Sequence, residues 1–181
     1  GKTSCTIQLK DKEIHIDPFN IPVGSGILTA DASFHREHWV PVEFVINTKA
    51  RGKGRSQGVQ AYYPLPYVDF DGIFTADITI TGNKTGAHVA GDVLFHKLTV
   101  TPGALIEPLE TVRADYPYRL TTDLRFKTGR DVVFYLPDKK NRIVEAVVNP
   151  EETLLLKADT LSQVLILNGV LTLKTGEINY F

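Results

Sequence analysis

Two histidines three residues apart are the first feature of the sequence that could do chemistry, because imidazole is a common zinc ligand. These are His35 and His38. On a β-strand, residues i and i+3 point to opposite faces, so one ion could reach both only across a turn. No third ligand stands out beside them. We therefore interpret the segment as a solvated loop, and the sequence predicts neither a metal nor a cofactor.

Nucleophilic catalysis finds little support in the chain. There is no H-E-x-x-H motif and no arrangement that pairs a cysteine with a histidine. The single cysteine, Cys5, lies in an extended stretch, and we expect a small buried apolar side chain there rather than a reactive thiol. The sequence favours a protein that is not an enzyme.

Charge and hydropathy exclude two broad classes. The 181 residues include 20 Lys and Arg and 21 Asp and Glu, which gives a formal net charge of -1. This balance offers no electrostatic reason to expect a nucleic-acid partner. The longest apolar run, residues 132–136, is far shorter than the ~20 residues of a membrane-spanning helix. The chain has no methionine and does not open with a signal peptide, so we expect an excerpt of a longer protein.

Apolar and polar residues alternate along most of the chain, and helical periodicity is almost absent. A period of two places one set of side chains on each face of a strand. A sheet with one apolar and one wet face is typical of antiparallel pairing. We therefore predict an all-β protein with its polar set, including Thr29, Asp31, Thr75, Asp77 and Thr79, facing water. The apolar sets are Leu28, Ala30, Ala32 and Phe34; Phe74, Ala76, Ile78 and Ile80; Leu124 and Phe126; and Leu154, Leu156 and Ala158.

An internal repeat points to an elongated structure. The string GILTADASF at residues 26–34 reappears as GIFTADITI at residues 72–80. A weaker echo pairs residues 91–100 with residues 169–178. Repeated β units that stack on one another bury apolar faces that no single unit could bury alone.

The repeated strings resemble the signature of the TamB family. The string DGIFTADITITG at residues 71–82, followed by VAGDVLF at residues 89–95, is similar to that family's repeat. Residues 123–134 and 168–181 also resemble segments of the family. The first twenty or so residues and the basic stretch at residues 49–55 do not.

The resemblance implies a β-taco, which is an elongated, mostly antiparallel sheet folded into a half-pipe with an apolar concave groove and no significant helix. It implies that residues 1–181 form a single segment of a longer, repeat-built chain. The residues expected to line the groove are Leu28, Phe34, Phe74, Ile78, Ile80, Val93, Phe95, Leu124, Phe126, Phe134, Leu154, Leu156, Leu171 and Leu173.

The resemblance also implies a function in lipid transfer and outer-membrane assembly. The groove would shield the acyl chains of phospholipids, or nascent strands of outer-membrane proteins, in the periplasm of a diderm bacterium. The parent protein would be anchored in the inner membrane. Its partner would be an outer-membrane β-barrel assembly protein of the TamA/BamA type, with a role in autotransporter assembly. No cofactor is implied.

A compact β-sandwich that binds carbohydrate or protein is the alternative. Clusters of tyrosine and proline at residues 62–67 and 116–118 motivate it, although proline also ends edge strands because it lacks an N–H donor. This alternative requires a closed core of two layers. The basic stretch at residues 49–55 could contact anionic head groups, but we expect a solvated hairpin tip there.

Overall fold

The computed structural model describes residues 4–38, 40–64, 68–102, 118–136, 142–162 and 164–179. The described part of the chain is all-β, and most of its residues lie in strands. No helix in the described part is long and apolar enough to cross a membrane. The described strands are β1 (Ile7–Lys10), β2 (Glu13–Val23), β3 (Gly26–Glu37), β4 (Val40–Gly52), β5 (Val59–Pro64), β6 (Val68–Asn83), β7 (Gly86–Pro102), β8 (Arg119–Leu136), β9 (Val144–Val148), β10 (Thr153–Asp159), β11 (Val164–Gly169) and β12 (Leu173–Ile178).

All the described strands belong to one open sheet. Its main path runs in the order β1-β2-β3-β4-β6-β7-β8-β10-β11, with β5 paired to β6, β9 paired to β8, and β12 paired to β9. Neighbouring strands are antiparallel except β7 and β8, which are parallel. The sheet does not close on itself, and among the described strands β1, β5, β11 and β12 each pair with one neighbour and form its edges. The predicted all-β, mostly antiparallel fold is confirmed.

Three positions in the sheet are each filled by two strands that lie end to end. Strands β5 and β4 pair one after the other with β6, both antiparallel to it. Strands β9 and β10 pair in the same way with β8, and β12 and β11 pair with β9 and β10. Each pair of collinear strands is separated by a short break in the ladder.

These breaks line up across the sheet. The register of β6 with β7 shifts after Ile73, and the register of β7 with β8 shifts at His96. The neighbouring breaks are residues 53–58, 149–152 and 170–172. We call this line the crease. Extra residues in one strand bend the sheet, so we infer that the crease is the line along which the half-pipe bends.

A buried threonine organises the crease in the second half of the chain. The Thr128 hydroxyl donates a hydrogen bond to the Asn149 carbonyl oxygen (2.8 Å) and accepts one from the Glu152 N–H (3.0 Å). The Thr128 N–H donates to the Glu152 carbonyl, and the Glu151 N–H donates to the Thr128 carbonyl. The backbone groups that the break removes from the ladder therefore regain partners.

The core consists of two apolar clusters. One contains Ala50, Val59, Ala76 and Val93. The other contains the buried side chains of Leu98, Val100, Val132 and Val148. Because Phe95 packs against both clusters, it connects the two walls of the half-pipe at the crease.

The two copies of the main repeat form matching strands. Residues 26–34 lie in β3 and residues 72–80 lie in β6, with β4 between them. Both strands are antiparallel to β4, so the copies run in the same direction. The alternation in the repeat thus places the same residue positions on the same face of the sheet.

Candidate apolar groove

The strand register gathers the predicted lining residues on one face, which we call the inner face. Leu28 lies opposite Ala50, Ala50 opposite Ala76, and Ala76 opposite Val93. The same row continues from Val93 through Phe126 and Leu154. The neighbouring rows add Ile78, Ile80, Phe34, Leu124 and Leu156 to this wall.

The other wall carries the remaining predicted residues. Phe134 lies opposite Val100 in β7 and opposite Ala146 in β9. Leu171 packs against the cluster of Leu98, Val100, Val132 and Val148. Leu173 lies opposite Val148 at the start of β12, where its side chain is exposed.

Three phenylalanines mark the crease. The rings of Phe74 and Phe95 meet edge to face with centroids 6.4 Å apart. The rings of Phe95 and Phe126 stack with centroids 5.8 Å apart. Such contacts add to the stabilisation from buried area and fix ring orientation. The rings come from β6, β7 and β8, so they form a continuous aromatic floor across three successive strands.

The inner face is not sealed beneath a second layer. The phenylalanines at 34, 74, 95, 126 and 134 are each only partly buried, and the largest fully buried side chains in the described chain are two valines. The large apolar side chains therefore line an open groove rather than a closed core.

Sequence reasoning missed several residues of the same face. Phe44 lies opposite Phe34, and Ile46 lies opposite both Ala32 and Ile80. The signal was only partly present, because Val42 and Phe44 flank the polar Glu43, whereas the apolar Val45 between Phe44 and Ile46 interrupts the alternation. Other missed residues belong to the two buried clusters described above. One of them, Val132, begins an unbroken apolar run, in which alternation cannot show which residues face inward.

The opposite, outer face is a network of polar side chains, as the alternation predicts. Asn47 bridges two strands, because its Nδ2 donates to Asp31 Oδ2 (2.8 Å) and its Oδ1 accepts from the Thr79 hydroxyl (3.0 Å). Thr29 donates to Asn20 in β2 (2.7 Å). Further pairs cross between strands: Lys49–Asp77, Arg125–Asp92 and Lys157–Asp123. Lys127 pairs with Glu151 in the break between β9 and β10.

The basic stretch at residues 49–55 is not a hairpin tip, and that expectation was wrong. Lys49 and Arg51 belong to β4, and the loop at residues 53–58 joins β4 to the collinear strand β5. Arg51 Nη1 donates to the carbonyl oxygens of Ala50 and Ala76. Both cations lie 3.4 Å from Asp77 Oδ2. These two basic side chains are engaged by β6 on the outer face, because β6 supplies both the carboxylate and a carbonyl.

Cys5 also departs from expectation. The residue precedes β1 and its side chain is exposed. The extended pattern around it indicated a strand, but β1 begins only at Ile7 and lies at the edge of the sheet. An alternating sequence does not reveal whether a neighbouring strand covers it.

The described residues include one spacing that resembles a catalytic motif. The spacing G-x-S-x-G does occur at residues 54–58, which sequence reasoning overlooked. Ser56 Oγ there donates to the Gly58 carbonyl within a loop between two strands, unlike the strand-to-helix turn that exposes a nucleophile. Within the described residues, no group of three or more His, Cys, Asp or Glu could hold a metal ion.

One Ser-His-Asp contact lies on the outer face. His15 Nδ1 is 2.9 Å from Ser33 Oγ, and His15 Nε2 is 3.5 Å from Asp17 Oδ1. Ser33 is an exposed residue inside β3, and it is paired with His15 on one side and Val45 on the other. Backbone donors committed to the ladder cannot form an oxyanion hole. We interpret the contact as part of the outer polar network.

The tyrosine and proline clusters lie partly outside the described residues. Residues 65–67 and 116–117 lie outside the residues that the structure describes. Tyr62 and Tyr118 are exposed, and β5 ends at Pro64.

A bidentate ion pair joins the start of β8 to the end of β10. Arg119 Nη2 donates to Asp159 Oδ2 (2.6 Å) and Arg119 Nε donates to Asp159 Oδ1 (3.2 Å). The Leu161 N–H also donates to this carboxylate (3.0 Å). The hydrogen bond from Arg119 is the main reason that the pKa of Asp159 lies well below its ordinary value. The same pair raises the pKa of Arg119.

The Asp159 pair predicts an acid-dependent contribution to stability. A lowered pKa in the folded state stabilises the fold above the unfolded pKa of about 3.9 and loses that contribution as the pH falls below it. We expect Asp159→Asn to lower the free energy of unfolding at neutral pH, with a difference from wild type that shrinks below about pH 4. Urea unfolding followed by circular dichroism across this range measures it.

Asp92→Asn is the matched control for that prediction. Its carboxylate is more exposed and lies 3.4 Å from Arg125. Exposed pairs contribute little, so its effect should be smaller at every pH. A difference for Asp159→Asn that did not change with pH would contradict the assignment.

Comparisons with known proteins found no match. No family model, no curated protein and no solved structure matches it.

Proposed function

We propose that the chain is a non-catalytic lipid-binding segment whose groove holds acyl chains. One observation carries the proposal: large, partly exposed apolar side chains line the inner face continuously from β3 to β10. Exposed apolar patches beyond a few hundred Å² mark binding sites in soluble proteins. Contact with this lining would stabilise a bound hydrocarbon chain, whereas it would not stabilise a flat polar partner.

The energetics suit a long flexible chain. Each methylene that leaves water for an apolar surface contributes about 0.8 kcal/mol. The aromatic floor of Phe74, Phe95 and Phe126 lines the bottom of the half-pipe across three neighbouring strands. A polar head group would remain in solvent above the open seam between the walls. Movement along the groove needs no covalent step, because successive positions on the floor are chemically alike.

The wider biological setting rests on the resemblance to the TamB family. On that basis we propose a periplasmic segment of an inner-membrane-anchored protein that works with an outer-membrane β-barrel assembly partner, and phospholipid acyl chains as the cargo. The sandwich alternative requires two packed layers, whereas the described strands form one sheet. The open groove is the observation that favours lipid.

Site-specific photo-crosslinking in cells tests the proposal. A photoreactive amino acid at Phe74 or Phe126 should capture lipid, which mass spectrometry of the purified protein identifies. The same group at Val45 or Asp92, on the outer face, is the control and should capture none. Folded protein without lipid adducts at both inner positions, or equal capture on the two faces, would refute the proposal.

A further inference from the structure

The outer face has a depression near the turn between β6 and β7, on the side of the sheet that faces away from the groove. Its volume is about 670 Å³, and Leu161, which follows β10, is part of its lining. The lining residues that point outward by register come from four neighbouring strands: Glu43 and Val45 in β4, Thr81 in β6, His88 in β7, and Arg119 and Thr121 in β8. The depression is therefore separate from the apolar groove.

The polar groups of this depression have fewer partners than those on the rest of the outer face. Elsewhere on that face, Asp77, Asp92 and Asp123 each form an ion pair with a cation of a neighbouring strand. Within the described residues, Glu43 forms no ion pair and the Thr81 hydroxyl forms no hydrogen bond. Both groups therefore keep their capacity to bind a ligand that enters the depression.

His88 adds a hydrogen-bond acceptor to the depression. The Thr121 hydroxyl donates to the Ala87 carbonyl oxygen (3.4 Å), so its oxygen accepts from the Nδ1–H of His88 (2.9 Å). In a neutral imidazole with its proton on Nδ1, the other nitrogen is an acceptor. His88 Nε2 and the Glu43 carboxylate are thus two acceptors in the same lining.

The turn after β6 holds a donor beside these acceptors. Asn83 Oδ1 accepts hydrogen bonds from the Thr85 N–H (2.8 Å), the Thr85 hydroxyl (2.8 Å) and the Gly86 N–H (3.2 Å). In the part of the chain that the structure describes, the two N–H donors of the Asn83 amide have no partner. A second depression of about 430 Å³ shares Glu43, Asn83 and Thr85 with the first. The two depressions together form one trough, which we call the rim trough.

We propose that the rim trough binds a neutral oligosaccharide. Sugar hydroxyls both donate and accept hydrogen bonds, so they match a site that offers free donors and acceptors side by side. Val45 and Leu161 are 40% and 71% exposed, and they provide apolar surface for the C–H faces of the sugar rings. Because the trough consists of two joined depressions, it fits a chain of several sugars rather than a single one.

The charges and the backbone of the rim trough disfavour other ligands. Glu43 would repel an anion, whereas Lys84 and Arg119 would repel a cation. An extended peptide that adds a strand needs an unpaired sheet edge. The strands β4, β6, β7 and β8 lie inside the sheet here, where neighbouring strands already bind their N–H and C=O groups. These exclusions leave a ligand rich in neutral hydroxyl groups.

A nuclear magnetic resonance titration of the isotope-labelled protein tests the proposal. The probes are cellotetraose, chitotetraose and maltotetraose, each added separately at millimolar concentration. We expect at least one of them to shift the amide signals of Thr81, Asn83 and His88 and to leave those of Phe95 and Phe126 in the groove unchanged. No shift with any of the three sugars, shifts confined to the groove, or the same shifts with inorganic phosphate or spermidine would overturn the proposal.

Two substitutions with matched controls test the contacts. With the sugar that responds, Glu43→Ala should weaken binding about tenfold or more because it removes a charged acceptor, and His88→Ala should weaken it about two- to tenfold. Glu177→Ala removes an exposed carboxylate from β12, and His15→Ala removes a histidine whose Nδ1 also contacts a hydroxyl. Both controls should leave the affinity unchanged within about twofold. Circular dichroism verifies that all four variants are folded, and equal loss of affinity in variants and controls would contradict the proposed site.

Discussion

Replacing Val132 with aspartate is expected to unfold the protein. The Val132 side chain is 1% exposed, and it belongs to the cluster of Leu98, Val100 and Val148 in one wall of the half-pipe. A carboxylate there would be buried without a partner, which costs several kcal/mol. Because single domains have about 5–15 kcal/mol of stability in total, this loss is large enough to shift the equilibrium toward the unfolded state.

Leu136→Asp is the control for that substitution. Leu136 lies on the same strand and, by register, on the same face, but it is 45% exposed. Its carboxylate would remain hydrated, so we expect a change of less than about 1 kcal/mol. Urea unfolding midpoints and circular dichroism compare the two variants. Similar midpoints for both would show that the Val132 cluster does not hold this wall together.

Replacing Phe95 with glutamine is expected to weaken acyl-chain binding more than any other single change in the groove. Phe95 contacts both Phe74 and Phe126 and packs against both core clusters. Loss of one such aromatic surface removes about 1.5–3 kcal/mol of apolar contact, which corresponds to a ten- to hundredfold weaker dissociation constant. Titration of a fluorescent long-chain fatty acid measures the change.

Val45→Gln is the matched control for the binding experiment. Val45 is an exposed apolar residue of the outer face, opposite Thr81. Its replacement should leave fatty-acid affinity unchanged within about twofold. Circular dichroism establishes that both variants are folded at the temperature of the titration. Equal affinities for the Phe95 and Val45 variants would show that the crease does not contribute to fatty-acid binding.

The faces of the strands could be predicted from the sequence because alternation is a local property. The repeat at residues 26–34 and 72–80 places Leu28 and Ile78 on the inner face and Asp31 and Asp77 on the outer face, as the structure does. Each residue needs only the parity of its own position within a strand. The predicted lining residues therefore lie on the face that the alternation assigns to them.

The crease could not be predicted, because a break in register depends on two strands at once. Gly129 lies at the crease, where a Cβ atom would lie 2.5 Å from the Phe95 carbonyl oxygen, although Gly86 and Gly91 have equally close neighbours away from it. Gly52 has a similarly close neighbour in Ser56. Gly52 and Gly129 lie on this line, but the sequence alone does not show that they become neighbours. The parallel pairing of β7 with β8 was hidden for the same reason.

Because the sheet bends at the crease, the number of strands sets the length of the half-pipe. Strands cross the groove from wall to wall, so each further strand position lengthens it by about 4.8 Å. The six positions from β4 and β5 to β11 and β12 give roughly 24 Å of groove. One leaflet of a bilayer has a hydrocarbon thickness of about 15 Å. This stretch is thus long enough to hold one lipid tail along its full length. In a longer chain of such repeats, the number of repeats would have to match the width of the gap that the groove crosses.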